Sequence, residues 1–287
     1  MLEIINLSKK YAEKEVLRNI SFSVGKGNIV SILGNNGSGK TTLFKMILNL
    51  LKKDNGKVKF ENKKIEHKLI GYLPEQRSLY QDCTVYQHLK LITGINKLEN
   101  YKQEIDKWLS KMKLYEYKDK KVYTLSKGNQ QKLTLIVCLI KNPEIIIMDE
   151  PFTGLDHENI EIFLREIEQL KKEKKIILIS SHIYQPINQI CDRYIYLDKA
   201  RIKIDIKKED LIKEEKRVIE VKDKNILKNE KIVSKVINDE SIRYIVENKK
   251  AAQAIVEKLM QENQVIVYYG PLTIEDKIKN YETVTYV

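Results

Sequence analysis

The run Gly34-Asn35-Asn36-Gly37-Ser38-Gly39-Lys40-Thr41 fits the pattern GxxxxGK[ST] and stands between the apolar run NIVSIL and the helically spaced segment Thr42 to Leu51. That order narrows the fold sharply. The chain must leave a buried strand, wrap closely around an anion and enter a helix at once. Glycines permit the wrap, so that successive N–H groups point at phosphate oxygens. The positive end of the following helix, which Thr42 enters, favours the same anion. Lys40 is expected to reach the β- and γ-phosphates of a nucleotide and Thr41 to offer a hydroxyl to Mg²⁺.

The rest of the chain must supply a sheet for this loop. LEIINL, ISFSV and NIVSIL read as strands. Asp54-Asn55-Gly56 reads as a hairpin turn before the strand KVKF, and LIGYL is a further short strand. From Thr84 to Leu114 the spacing turns helical, with Leu89, Ile92, Ile105, Trp108, Leu109 and Met112 in one apolar stripe. EIIIMDE is a continuous apolar run of the kind buried on both faces of a parallel sheet, and KKIILISS and RYIYLD repeat it around a helical stretch, Glu158 to Lys172. Strands alternating with helices predict an α/β, mostly parallel, doubly wound sheet. After residue 205 the pattern changes to RVIEV, SIRYIVE and QVIVYYG as strands and AAQAIVEKLMQE as a helix, a small α+β appendage.

Asp149 emerges at the end of IIIMDE, where a carboxylate can orient Mg²⁺, and Glu150 follows where it can polarise an attacking water. Composition agrees with a folded, soluble chain: of 287 residues, 42% are hydrophobic and 32% charged. No apolar run approaches the roughly 18 to 20 residues a membrane helix needs, and the N-terminus MLEIINLSKKY lacks the features of a secretory signal, so a cytosolic location is expected. Cys83, Cys138 and Cys191 are widely spaced without CxxC pairing, which indicates neither disulfides nor zinc; Cys138 reads as a small buried hydrophobe. Net charge is +12, and residues 205–287 are balanced at 16 Lys+Arg against 16 Asp+Glu, so the excess lies in the first part of the chain. A basic surface can meet nucleic acid or anionic lipid, but it lacks clustered Arg and aromatic patterning, and no nucleic-acid partner is expected.

Leu125-Ser126-Lys127-Gly128-Asn129-Gln130-Gln131-Lys132 opens a helix shortly before Asp149 and resembles the LSGGQ signature loop of ABC ATPases, with Lys127 and Asn129 departing from the commonest form. Tyr11 resembles that family's adenine-stacking aromatic. Gln76, after Leu73-Pro74-Glu75, resembles its glutamine loop, which senses Mg²⁺ and the membrane partner. Gly154-Leu155-Asp156 resembles its dimer-contact loop, with His157 where proline is common, and His182 after Ser180-Ser181 resembles its switch histidine. His67 and His88 lack such context and are read as surface residues.

The resemblance covers roughly residues 1–205. It implies an ABC-type P-loop NTPase: an ATP-binding domain over 1–204 with an antiparallel β subdomain and a helical subdomain near 77–125, followed by the appendage at 205–287, whose role it leaves open. It further implies an ATP sandwich in which two subunits, identical or not, close head-to-tail. Lys40, Thr41, Gln76, Asp149, Glu150 and His182 of one chain would face Ser126 and Gly128 of the other, with Asp156 at the contact. A separate integral membrane permease would be the partner, placing the chain on the inner face of the cell membrane. The compact appendage, LSKGNQQK and EPFTGLD resemble subunits of bacterial exporters of drugs, bacitracin-like antibiotics, lantibiotics and peptides. A non-transport ABC ATPase acting on ribosomes or nucleic acid is the alternative; such proteins usually carry two ATPase domains, long coiled coils or zinc motifs, and this chain shows one phosphate loop and none of those insertions.

Overall fold

The computed structural model describes residues 1–76, 78–222, 231–237 and 241–285, so residue 77, the first of the expected helical range, lies outside the described residues. The chain divides into two compact units, Met1–Asp205 and Ile206–Val287.

The first unit opens with β1 (Leu2–Tyr11) and β2 (Lys14–Val24), continues with β3 (Ile29–Leu33) and α1 (Lys40–Ile47), and then β4 (Asn55–Phe60) and β5 (Ile70–Leu73). Three helices follow, α2 (Val85–Ile95), α3 (Tyr101–Lys111) and α4 (Lys127–Leu139). The chain then runs through β6 (Ile145–Asp149), α5 (His157–Lys172), β7 (Ile176–Ser180), α6 (Tyr184–Ile190), β8 (Arg193–Asp198) and β9 (Arg201–Lys207). β2, β1 and β4 form an antiparallel sheet in that order. The second sheet has the order β5-β6-β7-β3-β8-β9, with its pairings from β5 to β8 parallel. Every residue of β3, β6 and β7 is buried, as expected of strands covered on both faces. One cluster joins Leu2, Ile4 and Phe22 of the antiparallel sheet to Leu43 and Phe44 of α1 and Ile147 and Leu178 of the parallel sheet. Each such side chain contributes about 1.5–3 kcal/mol through burial, which holds α1, and the loop before it, between two layers.

The structure corrects two local expectations. Asp54-Asn55-Gly56 does not turn a hairpin: β4 pairs with β1, and Asn55 and Gly56 already belong to the strand. Gly56 has φ 91° opposite an irregularity in β1, where a Cβ would lie 2.4 Å from the carbonyl oxygens of Ile5 and Asn6. The glycine accommodates a bulge instead of a reversal. His88 is 1% exposed on α2, with its ring 5.6 Å from that of Tyr80 and neither ring nitrogen hydrogen-bonded within the protein. Burial lowers its pKa, so the imidazole packs as a neutral ring. Cys138 is buried as expected, its thiol pushed up to about 12 by burial.

α4 packs on β5 with almost no gap. A Cβ on Gly71 would lie 2.4 Å from the Cys138 carbonyl oxygen and 2.8 Å from Pro143 Cγ. Gly71→Ala should therefore destabilise the first unit by about 1–3 kcal/mol through overpacking, read as a lower urea midpoint with an unchanged slope.

The second unit comprises α7 (Lys208–Lys213), β10 (Arg217–Val221), β11 (Ile232–Ile237), β12 (Ile242–Val246), α8 (Lys249–Gln261), β13 (Ile266–Pro271) and α9 (Ile274–Thr285). Its strands form an antiparallel sheet ordered β11-β12-β10-β13. Ile219, Val221, Ile242 and Tyr244 pack under Ala252 and Ile255 of α8. Arg243 joins Glu220 at 2.7 Å to Asp276 of α9 at 2.5 Å. Among the described residues no helix is long and apolar enough to cross a membrane.

Candidate functional site

β3 delivers the chain into the glycine loop at the edge of a cleft. Gly34 has φ 155°, and a Cβ there would lie 2.4 Å from Ser38 Oγ and 2.6 Å from the Leu197 carbonyl oxygen. Gly39 has φ 103° as the residue before α1, and a Cβ there would meet the Val16 carbonyl oxygen at 2.9 Å. No side chain caps α1 and no acid lies in its first turn. Its leading N–H groups are thus left for an anion. Lys40 is 7% exposed and donates from Nζ to the carbonyl oxygens of Gly34 at 2.7 Å and Asn35 at 3.3 Å. The same ammonium lies 3.9 Å from Glu150 Oε1.

Opposite the loop, β6 ends in Asp149 and Glu150, which one hydroxyl organises. Ser180 Oγ donates to Asp149 Oδ1 at 2.5 Å and accepts from the Glu150 N–H at 3.0 Å. Those bonds hold Glu150 at φ 51°, a left-handed conformation that costs a non-glycine residue about 1–2 kcal/mol. The twist turns its carboxylate toward His182, whose Nδ1 lies 2.8 Å and whose N–H lies 3.2 Å from Glu150 Oε2. Asp149 Oδ2 is buried with no hydrogen-bond partner in the protein, as is Ser38 Oγ. Burial, followed by the charges of Asp149 and Glu75, holds the Tyr72 phenol above its ordinary pKa.

A cleft of about 410 Å³ brings together Asn36, Gly37 and Gly39 to Thr42 of the loop with Asp149, Glu150 and His182. Asn35 and Ser38 line an adjoining groove with Asp198 to Ala200. Not all of the expected residues gather here. Gln76 is exposed and outside the lining, whereas its neighbour Glu75 is in it. Tyr11, 48% exposed at the end of β1, lies outside both openings, with Lys9 Nζ 5.4 Å from its ring centre. Ser126 and Asp156 lie outside the cleft as helix caps, accepting the N–H of Asn129 at 3.2 Å and of Asn159 at 2.9 Å respectively. Gly128 lies in the first turn of α4, also outside. Val16, Glu75 and Ser180 were not legible as site residues: Val16 is one apolar residue of a strand, and Ser180 acts only through strands adjacent in the sheet.

A family model described as ABC transporter matches residues 17–153. MJ1023 of Methanocaldococcus jannaschii, described as an uncharacterized ABC transporter ATP-binding protein, is 42% identical over 203 residues, covering 70% of this chain and 75% of that one. The chain belongs to the ATP-binding proteins of ABC transporters. It is also similar to the ABC transporter ATP-binding protein NatA of Bacillus subtilis, 31% identical with 70% and 87% of the two chains covered. SrtF of Streptococcus pyogenes, a lantibiotic transport ATP-binding protein, is likewise 31% identical, with 70% and 89% covered. Among solved structures, the dimeric form of the ABC transporter cassette MJ0796 superposes with a TM-score of 0.66 at 25% identity, covering 72% of this chain and 98% of that one. This ABC ATPase therefore binds and hydrolyses ATP, as the ATP-binding subunit that energises a transporter.

Proposed function

We propose that this ABC ATPase works as one of a pair that closes on ATP and drives a separate membrane permease exporting a peptide, antibiotic or drug. The observation carrying the paired arrangement is a division within the single chain: the phosphate loop, Asp149, Glu150 and His182 line the cleft, while Ser126, Gly128 and Asp156 lie outside it. A head-to-tail partner would bring its own Ser126 and Gly128 against the γ-phosphate, with Asp156 at the contact. The dimeric MJ0796 cassette supports that arrangement, and the similarity to the lantibiotic transport protein SrtF supports export.

Within each cleft the loop amides and Lys40 would hold the phosphates, and Tyr11 would stack on the adenine. The unpaired Asp149 Oδ2 and the Thr41 hydroxyl fit Mg²⁺, which would neutralise charge on the phosphate oxygens. Glu150 would take the proton of the attacking water, with His182 holding its carboxylate in place. Glu75, not Gln76, would be the residue of its loop that faces the metal. Glu75→Ala should weaken Mn²⁺ binding to the ADP complex by about tenfold, while Gln76→Ala stays within about twofold, in a titration followed by electron paramagnetic resonance. The reverse order would return the role to Gln76.

The transporter assignment is tested by recovering tagged Glu150→Gln protein from its native cells in mild detergent with ATP. A multi-spanning membrane protein should co-purify, at the inner face of the cell membrane. Ribosomes or DNA-bound proteins with no permease would overturn it. Export is tested separately: deletion of the gene should lower antibiotic tolerance or peptide secretion, and loss of nutrient uptake alone would exclude it.

A further inference from the structure

Gly128 is not required by its backbone conformation, since its φ is not among the positive values. What it meets is Asn159, in the first turn of α5: a Cβ on Gly128 would lie 2.6 Å from Asn159 Nδ2 and 3.3 Å from its Cγ. The same Nδ2 donates to Asp156 Oδ2 at 3.1 Å, while the Asn159 N–H donates to Asp156 Oδ1 at 2.9 Å. One amide therefore grips the Asp156 carboxylate and brings its nitrogen close against Gly128 of the signature loop. α5 is tied to the helical region elsewhere too. Lys111 pairs with Glu166 at 2.6 Å, where Glu166 is 4% exposed, and Lys113 pairs with Glu158 at 3.0 Å.

We propose that Asn159 is a positioning residue that locks the signature loop at Gly128 to the loop carrying Asp156, so that the two surfaces offered to the opposing subunit move as one body. The role rests on the paired arrangement proposed above. The physical basis is bidentate. Capping needs only the Asn159 N–H, which any residue supplies, so the side-chain amide is free to serve the linkage. Without it, the first turn of α4 keeps the Ser126 cap and the bonds of Gln130 Nε2 to the Val122 and Leu125 carbonyl oxygens but loses its contact with α5, and a loop with fewer fixed contacts opens more often.

The test uses the full chain and two substitutions. Asn159→Ala removes the amide but keeps the cap, so the thermal midpoint should stay near that of the parent. Asn159→Asp keeps the volume but turns an acceptor toward Asp156. In either variant, amide hydrogen exchange across residues 123–133 of the nucleotide-free protein should be about tenfold faster than in the parent. In the Glu150→Gln background, each should raise the ATP concentration needed for dimerisation by about tenfold, the loss of one hydrogen bond to a charged group. The affinity of the single subunit for a fluorescent ATP analogue should not change. Unchanged exchange in both variants would overturn the linkage whatever the dimerisation result. Faster exchange with unaltered dimerisation would leave Asn159 a local packing residue and overturn its positioning role. Failure of the Glu150→Gln parent to dimerise would count against the pairing, while exchange would still decide the linkage.

Discussion

Glu150→Gln should lower steady-state ATP turnover by roughly 10²- to 10⁴-fold, the range expected when a general base is removed, and leave ATP binding intact. The side chain keeps its size, and an amide oxygen can still accept from the His182 N–H, now 3.2 Å from Oε2. The left-handed backbone at Glu150 is held by Ser180 and not by the carboxylate, so the local fold should survive. What is lost is the basic oxygen that would receive the proton of water. Replacing a carboxylate by a neutral amide also removes a negative charge from the cleft proposed to hold the phosphates, which should favour the ATP-bound pair. Light scattering should then show a mass close to twice that of one chain with ATP and Mg²⁺ present and a single-chain mass without nucleotide. Turnover near the parent value would remove Glu150 from the chemistry.

Lys40→Ala should act earlier, weakening ATP affinity by roughly 10- to 100-fold, as expected for deleting a hydrogen bond to a charged group in a protected site. Lys40 Nζ donates to the Gly34 and Asn35 carbonyl oxygens and lies 3.9 Å from Glu150, so its ammonium is held at the glycine loop whose amides would take the phosphates. The backbone wrap depends on Gly34 and Gly39 and on the packing of α1, so the variant should melt close to the parent. A fluorescent ATP analogue titrated into Lys40→Ala and Glu150→Gln separates the two roles: affinity should fall in the first and persist in the second. Unchanged affinity in Lys40→Ala would count against the loop as the phosphate site.

The strand, glycine wrap and helix were legible because their pattern is contiguous. A strand, a glycine wrap and a helix must follow one another in the chain, and GNNGSGKT states all three at once. The buried strands β3, β6 and β7 were legible for a similar reason, since an apolar run without alternation fits only a strand covered on both faces. Elsewhere the linear pattern could not decide. Glu75 and Gln76 are consecutive, polar and exposed, and only the exit angle of β5 brings Glu75 to the cleft. His88 carries a polar label, yet its place on α2 beneath Tyr80 buries it. Asn55-Gly56 has hairpin chemistry but meets a bulge in β1, so the local preference serves a different purpose.

What the sequence alone determined is therefore what is contiguous in the chain: the glycine wrap between a buried strand and a helix, and the acids closing an apolar strand. What only the tertiary structure decided is which distant groups share a cleft. The sheet order sets β7 between β6 and β3, so Ser180 reaches both Asp149 and Glu150, and His182 just beyond it meets the Glu150 carboxylate. The fold likewise brings the first turn of α5 to the first turn of α4, setting Asn159 against Gly128. Such pairings depend on strand order and helix packing, which the cooperative burial of the whole core selects and which no local spacing encodes.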